Sequence, residues 1–239
     1  MLANDGGSIP QFGSLAPEVQ KPATFRYELL DFISGELPRW RDRPDRPAAT
    51  AETTLTSQLC AHLNSAARHS SGWDLLQFRV EEADELRAGR KIDLVAAPSG
   101  TVICIDGRKH TDFESLMPIE CKRLPTPPGN DRDEREYVIS RFSTTGGIQR
   151  FKTGQHGAMH GMGGMIAYVQ QNTRNFWQEQ VKQWIEGLIA NGEPGWTGGD
   201  LLNLLTDDAL RRLATLSSTH TRTNSSGNIE LRHLWVSMN

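Results

Sequence analysis

The chain is poor in cysteine, has no long apolar run and carries almost no excess of either charge. Its three cysteines, Cys60, Cys104 and Cys121, are an odd number at unrelated spacings. That argues against a disulfide framework and for a reducing compartment. No apolar stretch approaches the roughly 18 residues of a membrane span, and no charged-then-apolar leader opens the chain. A soluble cytoplasmic protein without a membrane partner is therefore expected. The formal net charge is −3 over 239 residues. No global field draws in a polyanion, so any such contact has to come from a local basic surface. Familiar site signatures are also missing. There is no G-x-x-x-x-G-K-[ST], no G-x-G-x-x-G, no H-E-x-x-H and no G-x-S-x-G, which argues against a P-loop, a dinucleotide site, a zincin and a hydrolase elbow. No internal repeat is present.

What is there reads as one α/β domain. Residues 1–22 are rich in Gly, Pro and polar side chains and lack a periodic apolar pattern, so a flexible tail is expected there and a single domain over 23–239. Phe25, Leu29, Phe32, Ile33 and Leu37 recur at helical spacing, and Pro38 is expected to end that helix. An Arg/Asp/Pro linker follows over 39–47. A second helix is predicted over about 51–68, with Thr50 as N-cap and Leu55, Leu59, Leu63 and Ala66 as its stripe. Strands are predicted over 73–82, 91–97, 101–106 and 117–123, with a polar connection over 108–116 and a loop over 125–135. A glycine-rich block holds a short helix from Ile148. Met165 to Val169 reads as a strand. Trp177, Val181, Trp184, Ile185 and Leu188 mark an amphipathic helix. A further helix is expected over 200–216 and a closing strand over 229–238. The order of elements favours a mixed sheet with helices on it.

Charge interrupts two of the apolar strands. In Met117-Pro118-Ile119-Glu120-Cys121-Lys122-Arg123, Glu120 and Lys122 share one face and Ile119 and Cys121 the other. Arg90-Lys91-Ile92-Asp93-Leu94-Val95 places a second carboxylate on a neighbouring strand. Glu52 lies on the apolar stripe of its helix, an unusual place for a carboxylate. Charged groups on buried surface are costly unless partners or a metal compensate. Glu-x-Lys alone also fits a plain cross-face ion pair on an edge strand. His156 and His160 stand four apart as zinc ligands can on a helix, but the glycines around them favour polar loop histidines. Cys121 reads as a small buried hydrophobe.

Position by position, Glu52, Asp93, Glu120 and Lys122 resemble the PD-(D/E)XK nuclease superfamily, whose pattern is helix, three-stranded meander, helix, strand. The likeness spans about Glu52 to Gln170. It implies a restriction-endonuclease-like mixed central sheet flanked by helices, with extra N- and C-terminal helices here. Ile92 stands where that family's Pro is usually written. The interval from Asp93 to Glu120 is long and holds an extra strand, which leaves Asp106 as a rival for the first carboxylate. The segments 120–125, 147–151 and 164–169 look like nucleases of bacterial restriction or anti-phage systems.

The chemistry these residues suit is metal-assisted phosphodiester hydrolysis. Mg²⁺, with Mn²⁺ as a substitute, takes carboxylate and carbonyl oxygens. Asp93, Glu120 and the Cys121 carbonyl are the expected ligands, with Glu52 for a second ion or a metal-bound water. Lys122 would orient the attacking hydroxide. The resemblance puts Gln149, Arg150 and Lys152 beside the phosphate, joined by Arg123. Arg39, Arg41, Arg43 and Arg46 complete an expected basic rim. DNA is the expected partner, with a homodimer or a partner subunit of a defence system supplying specificity. Two alternatives stay open: a nuclease acting on RNA, and a non-catalytic interaction subunit that kept the fold.

Overall fold

The computed structural model describes residues 24–84, 89–105, 107–142, 146–223 and 227–239. The expected tail over 1–22 and the rival carboxylate Asp106 lie outside the described residues. The chain is α/β, and seven strands form one mixed sheet in the order β1-β2-β5-β6-β9-β8-β7.

Helices α1 (Thr24–Arg41) and α2 (Glu52–Arg68) precede β1 (Leu76–Ala83) and β2 (Lys91–Pro98). A separate hairpin, β3 (Ile103–Ile105) with β4 (Arg108–His110), interrupts the run to β5 (Met117–Leu124). The short α3 (Gly147–Lys152) leads to β6 (Met162–Val169) and α4 (Arg174–Ala190). After a 3₁₀ turn (Gly198–Asp200) come β7 (Asn203–Asp208), β8 (Leu213–Thr221) and β9 (Asn228–Ser237). β1, β2 and β5 form an antiparallel meander. β5, β6 and β9 run parallel, and β8 and β7 close the sheet antiparallel.

The parallel centre is buried on both faces, as parallel strands usually are; every residue of β6 is buried. One apolar cluster joins Leu29, Ile33 and Leu37 of α1 and Leu55, Leu59 and Leu63 of α2 to Ile119, Cys121, Ile166 and Tyr168. The other joins Trp177, Val181 and Ile185 of α4 to Phe151, Met165, Leu231 and Trp235. The glycine-rich block serves close approach. A Cβ at Gly146 would lie 2.3 Å from the Ile139 Cα, and one at Gly157, where φ is +60°, would lie 2.7 Å from the Pro118 Cγ.

Four expectations need correction. Pro38 does not end α1 but sits inside it; its own carbonyl still accepts from the Asp42 amide at 3.0 Å. Thr50 is not the cap of α2. Ala51 holds that position without a side-chain bond, and the Thr50 carbonyl instead accepts from Arg123 and Gln170. The polar connection over 108–116 contains β4. The helix expected over 200–216 is β7 and β8, so beyond Gln170 the addition is one helix, α4, followed by strands. Leu201, Leu205, Ala209, Leu213 and Leu216 fall at three- and four-residue steps that imitate a helical stripe. Buried and less buried residues alternate along β8, and its threonines suit a strand.

Candidate active site

The ladder between β2 and β5 ends at the pair Leu94 and Ile119. One residue further the strands diverge, and the Asp93 carboxylate accepts the Cys121 amide at 2.9 Å. Into this fork β5 sends Glu120 and Lys122 from one face. The Lys122 Nζ lies 2.7 Å from Glu120 Oε1, 3.4 Å from Asp93 Oδ2 and 3.4 Å from Glu52 Oε1, and it donates to the Cys121 carbonyl at 3.1 Å. Glu52 reaches the fork from the first turn of α2, and its other oxygen accepts the Arg123 amide at 3.1 Å. The structure thus brings together Glu52, Asp93, Glu120 and Lys122, with the ammonium at their centre.

The ion network sets the charge states. Burial opposes the Lys122 ammonium, yet Asp93, Glu120 and Glu52 together hold its pKa above the ordinary lysine value. Burial likewise opposes the Glu120 carboxylate, which Lys122, His156 and Arg150 hold well below the usual range. Asp93 is the group left short of partners. Burial and the Glu120 charge push its carboxyl up to about 6, against the pull of Lys122. A carboxyl raised in the folded state contributes stability that is complete below its unfolded pKa of about 4 and is lost as pH rises through about 6. Asp93→Asn should therefore stabilise the protein in EDTA by about 1–3 kcal/mol near neutral pH, with the gain fading below about pH 4. Urea melts across that window measure it. A variant less stable than the parent at about pH 8 would contradict this charge balance.

Two further groups meet Glu120. Arg150, on α3, makes an ion pair with Oε1. His156 Nδ1 lies 3.0 Å from Oε2, although neither atom finds an aligned hydrogen bond. His156 and His160 lie in a loop and not on a helix, but both are buried. The loop that carries them is pinned. Arg222 donates to the carbonyls of Gly157, Ala158 and His160, and the Asp84 carboxylate accepts the Gly157 amide. The sequence reading missed His156 as a partner of Glu120. The signal available was its position four residues after Lys152, directly behind a basic helix.

The expected phosphate contacts are not assembled as a rim. The Gln149 Oε1 accepts the amides of Gly146 and Ser140, each at 3.3 Å, and so caps α3. Arg150 faces Glu120, and the Arg123 guanidinium donates to the Thr50 carbonyl at 2.7 Å. Lys152 is drawn the other way. It is buried, paired with Asp200 and placed over the Trp196 ring. The linker arginines are also engaged. Arg39 pairs with Glu36, Arg41 with Asp42 and Arg43 with Asp45, while Arg46 lies over Trp40.

The oxygens of Glu52, Asp93, Glu120 and the Cys121 carbonyl are the hard donors that Mg²⁺ prefers, and three carboxylates there face two permanent cations. Glu136 adds to the excess: burial raises its carboxyl, and the Glu52 charge acts in the same direction. The chemistry of the donor set fits a divalent cation. The arrangement is not preassembled: among the described residues, no group of three or more His, Cys, Asp or Glu side chains is gathered tightly enough to hold an ion. The ammonium of Lys122 occupies the shared point, so a metal would have to displace it. Cys121 itself is buried with its thiol pushed well up by burial, which leaves its carbonyl as the group of chemical interest. Among the described residues no helix is long and apolar enough to cross a membrane. No family model, curated protein or solved structure matches the chain.

Proposed function

We propose that the chain is a Mg²⁺-dependent endonuclease of restriction-endonuclease-like architecture that hydrolyses DNA phosphodiester bonds. One observation carries the proposal: Asp93, Glu120, the Cys121 carbonyl and Lys122 converge on one point where β2 and β5 diverge. The topology supports it. Helix α2, the antiparallel meander β1-β2-β5, helix α3 and the parallel strand β6 follow one another in the order the resemblance implies.

Asp93, Glu120 and the Cys121 carbonyl would hold the ion, and Glu52 would orient a water or hold a second one. Bound there, Mg²⁺ lowers the pKa of a coordinated water and neutralises charge on the scissile phosphate. Lys122, released from the centre of the carboxylates, would hydrogen-bond the attacking oxygen and offset charge growing on the phosphoryl group. Arg150 pairs with one oxygen of Glu120, and His156 lies against the other. Mn²⁺ would substitute through the same oxygen donors. Because the basic side chains around the fork are engaged by the protein, sequence recognition would come from a second copy or a partner subunit, as in a restriction or anti-phage system.

A second reading has its own observation. An ammonium seated among three carboxylates and a Glu120 already matched by Arg150 can be a purely structural ion cluster, as in a non-catalytic interaction subunit. Plasmid, linear DNA and RNA, each incubated with the protein in Mg²⁺ and in EDTA, separate the readings. Mg²⁺-dependent cleavage of DNA is expected; cleavage of RNA alone would move the substrate to RNA. No cleavage of any substrate would favour the interaction subunit.

A further inference from the structure

On the opposite side of the sheet from α2, seven buried polar side chains make one continuous chain. The Trp235 Nε1 donates to the Tyr137 hydroxyl at 2.7 Å, and that hydroxyl lies 2.7 Å from His233 Nδ1. Ser218 Oγ lies 2.8 Å from His233 Nε2 and 2.6 Å from His220 Nε2. His220 Nδ1 lies 2.6 Å from Asp200 Oδ1, which also accepts from Lys152. Every one of these residues is buried.

Proton accounting leaves one direction for the chain. Burial opposes the Asp200 carboxylate, but His220 and Lys152 bring it down to about 2, so it only accepts and His220 must carry its proton on Nδ1. Burial keeps both imidazoles neutral, His233 most strongly. His220 Nε2 is then an acceptor, and Ser218 donates to it. Ser218 in turn accepts from His233 Nε2–H. His233 Nδ1 accepts from Tyr137, and Tyr137 accepts from Trp235, whose indole can only donate. The reverse polarity would bury the Tyr137 proton unpartnered and set a lone pair of His220 against Asp200, at the cost of unsatisfied buried groups.

Asp200, His220 and Ser218 stand in the acid, base and hydroxyl order of a hydrolase triad. Ser218 is 2 % exposed and its oxygen already accepts from His233, so no substrate reaches it and it is not a nucleophile. The ends of the chain matter more. Tyr137 belongs to the segment whose carbonyls take the first amides of α3: Gly147 donates to Glu136, Ile148 to Tyr137 and Gln149 to Val138. Lys152 is the last residue of α3, and its carbonyl accepts the Thr223 amide at 3.0 Å. Arg150, which faces Glu120, lies between the two attachments.

We propose that Trp235, Tyr137, His233, Ser218, His220, Asp200 and Lys152 form a single polarised hydrogen-bond chain that fastens both ends of α3 and thereby positions Arg150 against Glu120. Ser218, His220 and His233 are positioning residues, and their consequence for catalysis rests on the nuclease reading; the fastening itself does not. Fully satisfied buried networks specify one arrangement, and cutting the middle leaves two donors or acceptors unpaired.

The test uses the full chain. Imidazole ¹⁵N–¹H correlation spectra of the unaltered protein should show His220 as the neutral Nδ1–H form and His233 as the neutral Nε2–H form. In Ser218→Ala and Ser218→Val, hydrogen exchange at the Ile148, Gln149 and Thr223 amides should become about tenfold faster, while β6 amides keep their protection. Ser218→Thr, which keeps the hydroxyl and matches Val in size, should restore slow exchange. If DNA is cleaved, Ser218→Ala should lower kcat more than it raises KM. Opposite tautomers, a charged imidazole at neutral pH, or unchanged exchange in the Ala and Val variants would overturn the proposal. The expected tautomers and exchange in a protein that cleaves nothing would uphold the fastening and overturn the nuclease reading.

Discussion

Glu120→Ala is expected to destabilise the fold by about 3–5 kcal/mol, the range for breaking a buried ion pair from one side. Glu120 is fully buried and meets Lys122, Arg150 and His156. Its removal leaves the Arg150 guanidinium without its carboxylate and a cavity where the side chain was. The sequence by itself suggests a variant with its fold intact, because a strand carboxylate beside a lysine need not be so enclosed. Glu120→Gln keeps the volume and an acceptor oxygen, so it should lose about half as much. Both should lose metal-dependent cleavage. Urea denaturation of the three proteins measures the stability difference. A loss under about 1 kcal/mol for Glu120→Ala would mean that the cluster relaxes freely and that Glu120 is not held as described.

Lys122→Met should show the opposite dependence on metal. The ammonium is the counter-ion of Glu52, Asp93 and Glu120, and its loss leaves those carboxylates matched by Arg150 alone. In EDTA the variant should be less stable by about 2–4 kcal/mol. Mg²⁺ should then restore much of that loss, since a cation can take the vacated point; at about 100 times its Kd a ligand adds roughly 2.7 kcal/mol. The thermal shift caused by Mg²⁺ should be larger in Lys122→Met than in the unaltered protein, where the ion competes with the ammonium. Cleavage should be abolished in Lys122→Met even with Mg²⁺ bound, because no donor remains to hold the attacking oxygen. Equal metal shifts of zero in both proteins would remove the divalent site and leave a structural ion cluster.

The centre of the fold was legible because its signals are local. β2, β5 and β6 are short apolar runs between turn residues, and α2 and α4 carry clean helical stripes. The meeting of Asp93, Glu120 and Lys122 could be read from strand parity together with their apolar flanks. Glu52 could be read from its place on the α2 stripe. What stayed hidden depends on contacts between distant parts of the chain. Lys152 looks like a solvated base until Asp200 is folded against it. His156 was masked by the glycines around it, of which Gly157 serves close approach to Pro118. The buried chain through Ser218, His220 and His233 was concealed by leucines at helical steps over β7 and β8. With the strand assigned, Ser218 and His220 fall on one face, as do His233 and Trp235, and two histidines on a buried face would have marked the network.

Asp93→Asn gives the most direct test of metal-dependent hydrolysis, because it removes one proposed ligand from a group whose ionisation opposes folding. The unaltered protein and the variant, matched for folded fraction by thermal melting, are incubated with supercoiled plasmid in Mg²⁺ and in EDTA. Nicking or linearisation is expected only with the unaltered protein and only in Mg²⁺, while Asp93→Asn stays folded and inactive. Cleavage by Asp93→Asn at the rate of the unaltered protein, or no Mg²⁺-dependent cleavage by either, would contradict the assignment of this fork as a nuclease site.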